Sequence, residues 1–284
     1  MDGLTGIRKL PRGLKNAKGE IKGSSLGEAD LVSFAQNVVL PHPRAILSPV
    51  GLRPSDNPPA VVDKYRQVQG EGIERGTAFY RKLGRETMAQ IYEEFGHWFR
   101  KLSYDTYLKI ILLGECIVLA LVNAFGHSIS GGYASELTRL RYVIDRDFVR
   151  EERSNFFWHE LLRNQLWYTS KRHPIPLLDT WAKTGHPVLD RYRRNGRLDL
   201  NDLFWNNLVF VRSHESLEVR IADIAAAVFT RHFNGKGAAP AYDLLKGSIA
   251  GRGRVPVILL TDFDLSAWTY DPEDNPWLAG REPD

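Results

Sequence analysis

Hydrophobic residues recur at helical spacing within residues 213–229 and predict a long helix that follows Ser216 in the last third of the chain. Two apolar stripes run along this helix, so we expect it to be buried on both of these sides. The first stripe comprises Leu217, Ile221, Ile224 and Val228, and the second comprises Val219, Ala222 and Ala226.

Asp223 lies among the small residues of this predicted helix. Burying a carboxylate costs free energy unless a partner compensates its charge. A metal ion, an arginine from another element or a solvent-filled cleft would each supply that compensation. The structural alternative, an aspartate that reaches solvent or an ordinary ion pair, stays open at this point.

The pattern predicts an alternation of helices and strands along the rest of the chain. Ser25 and Glu28 have the spacing of a capping box and predict the start of a helix. Glycines are expected to break the helical pattern within 60–101. The predicted elements are helices over 26–40, within 60–101, over 104–125 and over 151–170, and strands within 44–52, 140–145, 208–211 and 255–260.

The longest apolar run, over 107–125, is interrupted by Lys109, Glu115 and Asn123. A membrane span tolerates such residues poorly, so the run predicts a buried helix of a soluble protein. The basic N-terminal stretch is not followed by the apolar region of a secretory signal. We therefore expect a cytoplasmic protein that makes no membrane contact.

The composition limits the kinds of disulfide, metal and binding sites that the chain can form. The single cysteine, Cys116, excludes a disulfide framework and a zinc site with several cysteines within the chain. The net charge is +4, but residues 262–284 hold seven acidic residues and one arginine, so the remainder is more basic. A basic surface suits phosphate-rich partners, and the arginines within 191–197 are the first candidates for contacting phosphate. A solvated loop is the alternative interpretation of those arginines.

Acidic residues stand at three separated breaks in the pattern. Glu20 precedes the first predicted helix, Asp145 ends a β-branched strand, and Asp223 lies on the late helix. A strand that ends in carboxylates places oxygen ligands at the edge of a sheet. The alternative for Asp145 is that it caps the helix that follows.

Three short segments carry a resemblance to a known family. They are Glu20-Ile21-Lys22-Gly23-Ser24, Val143-Ile144-Asp145-Arg146, and the segment from Ser216 to Ile224. The chain resembles, over about residues 17–233, the bacterial and phage family catalogued as domain of unknown function 3800. That resemblance implies an α/β, ribonuclease-H-like mixed sheet flanked by helices. We expect one such domain over 1–261 with a helical insertion at about 60–126, followed by an acidic tail at 262–284.

The resemblance also implies a carboxylate cluster that holds one or two Mg²⁺ or Mn²⁺ ions. Hard oxygen ligands suit these ions, and a metal pair can activate water against a phosphodiester. The implied catalytic residues and metal ligands are Glu20, Asp145 and Asp223. The implied phosphate-binding residues are Lys22, Arg146 and Arg220, the last standing where the family often has glutamine.

One feature of that family has no counterpart here. Its members begin with a strand carrying an Asp-Glu-Ser-Gly-like motif, and residues 1–18 contain no such strand. We expect that the sequence is shortened at its start; the alternative is that the first strand has been lost.

Two functions from different classes follow from these observations. The first is a divalent-metal-dependent nuclease or related phosphoryl-transfer enzyme acting on nucleic acid. The alternative is a non-catalytic nucleic-acid-binding or mobile-element or defence accessory protein with an incomplete site, and an interaction scaffold is a third. The sequence predicts neither an oligomeric state nor a choice between DNA and RNA.

Overall fold

Helices predominate in the computed structural model, which describes residues 22–42, 44–132, 135, 137, 141–145, 162, 193–194, 197–198, 207–250 and 255–260. The α-helices are α1 Glu28–Phe34, α2 Pro59–Lys82, α3 Glu86–Arg100, α4 Tyr104–Ser130, α5 Leu217–Phe233 and α6 Ala239–Leu245. The strands are β1 Gly51–Leu52, β2 Tyr142–Asp145, β3 Arg193–Arg194, β4 Arg197–Leu198, β5 Leu208–Val211 and β6 Val257–Ile258. Short 3₁₀ turns cover Gly23–Ser25, Pro54–Asp56 and Lys246–Ser248, and a π-helical segment, Ala35–Val39, extends α1.

The described strands pair two by two. β1 runs parallel to β6, and β2 runs parallel to β5 with Asp145 opposite Val211. β3 and β4 are antiparallel. Parallel strands require long crossover connections, which are usually helical. The described part of the chain is a mixed α/β protein, mostly helical, with two small parallel sheets. The ribonuclease-H-like arrangement and the division into domain and tail stay predictions.

The larger hydrophobic core is formed by α2, α3 and α4 together with β2 and the segment around β6. It is rich in rings that pack edge to face, such as Phe95 against Phe99 and Phe99 against Tyr107. Edge-to-face pairs add stabilisation beyond the area that they bury. The helices α2 to α4 cover the stretch that was predicted as a helical insertion.

The prediction that glycines interrupt the helical pattern was wrong for most of them. α2 continues through Gly70, Gly72 and Gly76, and ends before Gly84, which has a φ of +71°. A methyl group on Gly70 would come within 3.2 Å of the Arg100 side chain on α3. Close packing of α2 on α3 therefore outweighs the cost of glycine inside a helix.

α4 is longer than predicted, because it passes Gly126 and ends at Ser130. Its first turn is capped by Ser103, whose hydroxyl accepts from the backbone N–H of Thr106 at 3.2 Å. α4 is long and apolar enough to span a membrane by length and composition, and 39% of its most apolar window is buried. The predictions of no membrane contact and of a cytoplasmic location are not tested by this packing and stay predictions.

The smaller hydrophobic core joins α1, the π-helical segment, α5 and α6. The apolar side of α1 is buried in this core, including Leu31 and Phe34. The predicted capping box was wrong, because Ser25 donates to the carbonyl of Lys22 at 2.8 Å inside the 3₁₀ turn. Asp30 instead accepts from the backbone N–H of Gly27 at 3.1 Å, so α1 starts two residues later than the sequence suggested.

α5 begins where the sequence predicted, directly after β5 and a short loop. Ser216 caps it by accepting from the backbone N–H of Val219 at 3.2 Å. The expectation of two buried sides was wrong, since Ala222 and Ala226 are exposed. α5 packs on the smaller core through Ile224, Ala225 and Val228, and the side that carries Ala222 and Ala226 faces outward.

A buried amide closes the end of the β1–β6 pair. Asn57 donates to the carbonyl oxygens of Arg53 and Ile258, and its side-chain oxygen accepts from the N–H of Leu260 at 2.7 Å. The side chain is fully buried, and these bonds satisfy it. Asn57 thereby extends the backbone pairing of β6 beyond the two residues that face β1.

Candidate active site

The candidate site is organised by one hydrogen bond between distant parts of the chain. The carboxylate Oδ2 of Asp223 on α5 accepts from the backbone N–H of Gly23 at 2.7 Å. Asp223, Ala227 and Arg231 follow one another at four-residue intervals, so they lie on one face of α5. This face receives the 3₁₀ turn Gly23–Ser25.

Gly23 is required at this contact by steric fit. A methyl group on Gly23 would lie 2.7 Å from the carbonyl oxygen of Asp223 and 2.8 Å from Cα of Ile224. Both atoms belong to the helix backbone, which cannot move aside as a flexible side chain would. Only glycine therefore allows the turn to approach α5 closely enough for the Gly23–Asp223 hydrogen bond.

Arg231 fixes the other end of the same turn. Its guanidinium donates to the carbonyl oxygens of Leu26 and Ser24, each at 2.6 Å. Hydrogen bonds from a charged donor are among the stronger ones in proteins. Asp223 and Arg231 together bind the turn along two helical turns of α5, and we call this arrangement the α5 clamp.

The clamp accounts for a carboxylate among small residues. Asp223 is half-buried, and a backbone N–H rather than an arginine is its partner at Oδ2. A ligating carboxylate is commonly held by such a bond from its surroundings, which fixes its orientation. The arrangement is therefore compatible with a structural role and with a role as an oriented oxygen ligand.

Asp145 is the last residue of β2 and is half-buried. Its neighbour in the sheet is Val211, the residue at which β5 ends before the loop to α5. Ile144 belongs to the larger core, whereas Ile224, next to Asp223, belongs to the smaller one. Asp145 thus comes from a strand of the larger core and Asp223 from a helix of the smaller core. The two cores are linked along the chain where β5 is followed by α5.

The described cations occupy defined positions beside these elements. The backbone carbonyl of Lys22 accepts from the N–H and the hydroxyl of Ser25, which anchors Lys22 directly before the clamped turn. Arg220 donates through Nε to the carbonyl of Ser216 at 3.4 Å in the first turn of α5. Neither contact tests the prediction that these residues bind phosphate.

Glu218 is a further ionised group at the start of α5. The hydroxyl of Ser216 donates to its carboxylate at 2.7 Å, and this bond, with backbone N–H donation and the charges of Arg141 and Arg220, lowers the pKa of Glu218. An acidic residue in the first turn also interacts favourably with the helix dipole. Glu218 therefore stabilises the start of the helix that presents Asp223.

Glu20 and Arg146 lie outside the described residues, as do the predicted helix over 151–170 and the acidic tail. Among the residues that the structure describes, no group of three histidine, cysteine, aspartate or glutamate side chains is close enough to hold a metal ion. Two of the three predicted ligands are therefore described, and the complete triad stays a prediction. Their carboxylate oxygens are the donor type that Mg²⁺ and Mn²⁺ prefer.

Comparison with protein-family models, curated proteins and solved structures finds no significant match. The resemblance to the family catalogued as domain of unknown function 3800 consequently rests on the three short segments alone and stays a prediction.

Gly23 and Arg231 were not predicted from the sequence to be important for the site. Arg231 could have been identified from its spacing, because it follows Asp223 by eight residues and therefore lies on the same side of the helix. No local sequence pattern identifies Gly23, since its role depends on a contact with a helix 200 residues away.

Proposed function

We propose that this protein is a divalent-metal-dependent phosphoryl-transfer enzyme acting on nucleic acid, with phosphodiester hydrolysis as its simplest reaction. The Gly23–Asp223 hydrogen bond carries the proposal, because it joins the first and third of the three segments that suggested a carboxylate cluster. Glu20 precedes Gly23 by three residues, so chain geometry keeps its Cα within roughly 11 Å of the Cα of Gly23. That reach supports a shared site for Glu20 and Asp223.

In this proposal the protein contributes oriented oxygen ligands and cations. The α5 clamp fixes the carboxylate of Asp223, and Asp145 and Glu20 supply further oxygen ligands. Lys22, Arg146 and Arg220 neutralise phosphate charge. A bound Mg²⁺ or Mn²⁺ ion would activate water and stabilise the leaving oxygen, which is the chemistry that such ions supply at phosphodiesters.

The test is cleavage of DNA and RNA with Mg²⁺ or Mn²⁺ by the wild type and by the Asp145→Asn and Asp223→Asn variants. We expect metal-dependent cleavage that is lost in both variants. Asparagine at position 223 keeps an oxygen that can accept from Gly23, so this variant should fold normally. Asp63→Asn, which alters an exposed ion pair with Arg66 on α2, is the matched control. Cleavage that survives both site substitutions would contradict the proposal.

The second candidate is a non-catalytic nucleic-acid-binding protein. It is favoured by one observation, namely that Asp223 already serves the fold by accepting from Gly23. This candidate predicts salt-sensitive binding that is unchanged in Asp145→Asn and Asp223→Asn, because phosphate contacts rather than carboxylates supply the affinity. A lack of affinity for DNA and RNA at low salt would contradict it.

A further inference from the structure

The C-terminal end of α5 carries an aromatic cluster that the proposed active site does not use. His232 stacks on Tyr242 of α6 with ring centroids 3.7 Å apart and an angle of 6° between the planes. Phe233 packs edge-on against both rings, at 5.2 Å from His232 and 5.7 Å from Tyr242. Phe229 completes the set at 5.9 Å from Tyr242. We call these four residues the aromatic cluster.

Phe233 is held in place and yet exposed. It retains 53% of its accessible surface, although two neighbouring rings fix its position. An aromatic ring that is already ordered loses little conformational entropy when another flat group packs on it. The ring therefore suits a stacking contact better than a mobile surface side chain would.

The charges beside the cluster are mainly positive. Arg231 donates to two uncharged carbonyl oxygens, and Lys236 is exposed in the turn that follows α5. Lys246 forms an ion pair with Asp243 at 2.9 Å, so these two charges cancel. One carboxylate also lies near this turn, since Oε2 of Glu28 is 3.7 Å from the position that a methyl group on Gly237 would take. The sum is positive, which suits a polyanion.

The position of the cluster relates it to the proposed active site. Phe233 follows Asp223 by ten residues on the same helix, a separation of about 15 Å along the axis. Ala226 and Thr230 lie between them, and both are exposed. A few nucleotides of single strand would cover this length of helix.

We propose that the aromatic cluster is a stacking platform for a base of single-stranded nucleic acid, with Phe233 contacting the base and Lys236 the adjoining phosphate. The proposal rests on the substrate class of the proposed function, but it does not depend on a metal ion or on cleavage. Stacking on aromatic side chains is a recurrent mode of single-strand binding and tolerates any base.

The experiment measures fluorescence anisotropy of a labelled twelve-nucleotide oligothymidylate, and of a labelled duplex, at low salt in EDTA. Stacking contributes enough that Phe233→Ala should weaken single-strand binding roughly tenfold, while Phe233→Tyr should restore it to within about twofold of the wild type. Lys236→Ala should reduce the dependence of affinity on salt. Leu83→Ala, at an apolar residue that is 46% exposed beyond α2, is the matched control and should change nothing.

Three results would overturn the proposal. They are wild-type protein that does not bind the single strand, a Phe233→Ala variant that binds as the wild type does, and an equal loss of affinity for the duplex. Size-exclusion chromatography of the same variants identifies one cause of the second result. If Phe233→Ala converts a dimer into a monomer without affecting nucleic-acid affinity, the ring contacts a second copy of the chain. Metal-dependent cleavage is scored separately, so either proposal can fail while the other stands.

Discussion

The larger core is built mainly from rings, whereas the smaller core is built mainly from aliphatic side chains and alanines. Seven tyrosines and phenylalanines in α2 to α4 are almost fully buried in the larger core. In the smaller core, α5 approaches its neighbours closely, and backbone groups take part in the contacts. The rings of the larger core are Tyr65, Tyr80, Tyr92, Phe95, Phe99, Tyr107 and Phe125.

This difference shows where functional groups can be placed. A core of large rings disfavours charge, since an unpaired buried charge is costly. The smaller core has a polar edge, where Asp223 and Arg231 contact the backbone of the 3₁₀ turn. The candidate site lies where Asp145, from the strand of the larger core, and Asp223, from the helix of the smaller core, are predicted to meet.

The largest expected effect is in the larger core. Phe99→Ala removes a fully buried ring that packs against Phe95 and Tyr107, so it should lower the free energy of unfolding by about 3–5 kcal/mol. Phe233→Ala, the same substitution at an exposed ring, should cost about 0.5 kcal/mol or less. Urea denaturation measures both. Equal costs would show that ring burial does not distinguish the two positions.

The next effect is in the smaller core. Gly23→Ala forces a methyl group against the α5 backbone and should destabilise the protein by about 1–3 kcal/mol. Gly247→Ala is the control, because nothing lies within 4 Å of the added methyl group. A Gly23→Ala variant as stable as the control would contradict the close approach of the turn to α5.

The next prediction compares Arg231, a cation bound to carbonyl oxygens, with Arg81, a cation in surface ion pairs. Arg231→Ala removes two charged hydrogen bonds and leaves two carbonyl oxygens without them, so a loss of about 1–2 kcal/mol is expected. Arg81 forms exposed ion pairs with Glu86 and Glu93, and such pairs contribute roughly 0–1 kcal/mol. If thermal denaturation ranks Arg81→Ala as the more damaging change, the α5 clamp is not the stronger contact.

The smallest effect depends on pH. Burial on α4 raises the pKa of Glu115 above its ordinary value, so the folded protein binds the proton more tightly than the unfolded chain does. The carboxylate therefore costs stability at neutral pH, and this cost disappears below about pH 4, where both states are protonated. Glu115→Gln should raise the melting temperature by at most a few degrees at pH 7 and not at low pH. A lower melting temperature of Glu115→Gln at pH 7 would contradict the sign.

Local pattern was enough to predict some elements and not others. β5 has the predicted bounds. The start of α5 was also predictable, because the capping bond between Ser216 and Val219 is local. The continuity of α2 through Gly70 was missed, since it depends on packing against α3. Helix and strand signals are local, whereas such packing involves residues far apart in the sequence.

The candidate site shows the same limit. Asp223 was identified from the sequence because a carboxylate among alanines is unusual on an apolar helix. Its contact with Gly23 spans 200 residues, and no spacing rule reaches that far. The exposure of Ala222 was also missed, because a small apolar residue fits either side of a helix.

The central claim is that Asp223 serves both as the acceptor for Gly23 and as a metal ligand. Isothermal titration of Mn²⁺ into the wild type and into Asp223→Asn, with melting temperatures measured in parallel, tests it most directly. The account predicts Mn²⁺ binding by the wild type, with affinity at least about tenfold weaker in Asp223→Asn and a melting temperature almost unchanged. Equal Mn²⁺ affinity in the two proteins, or no Mn²⁺ binding by the wild type, would contradict it.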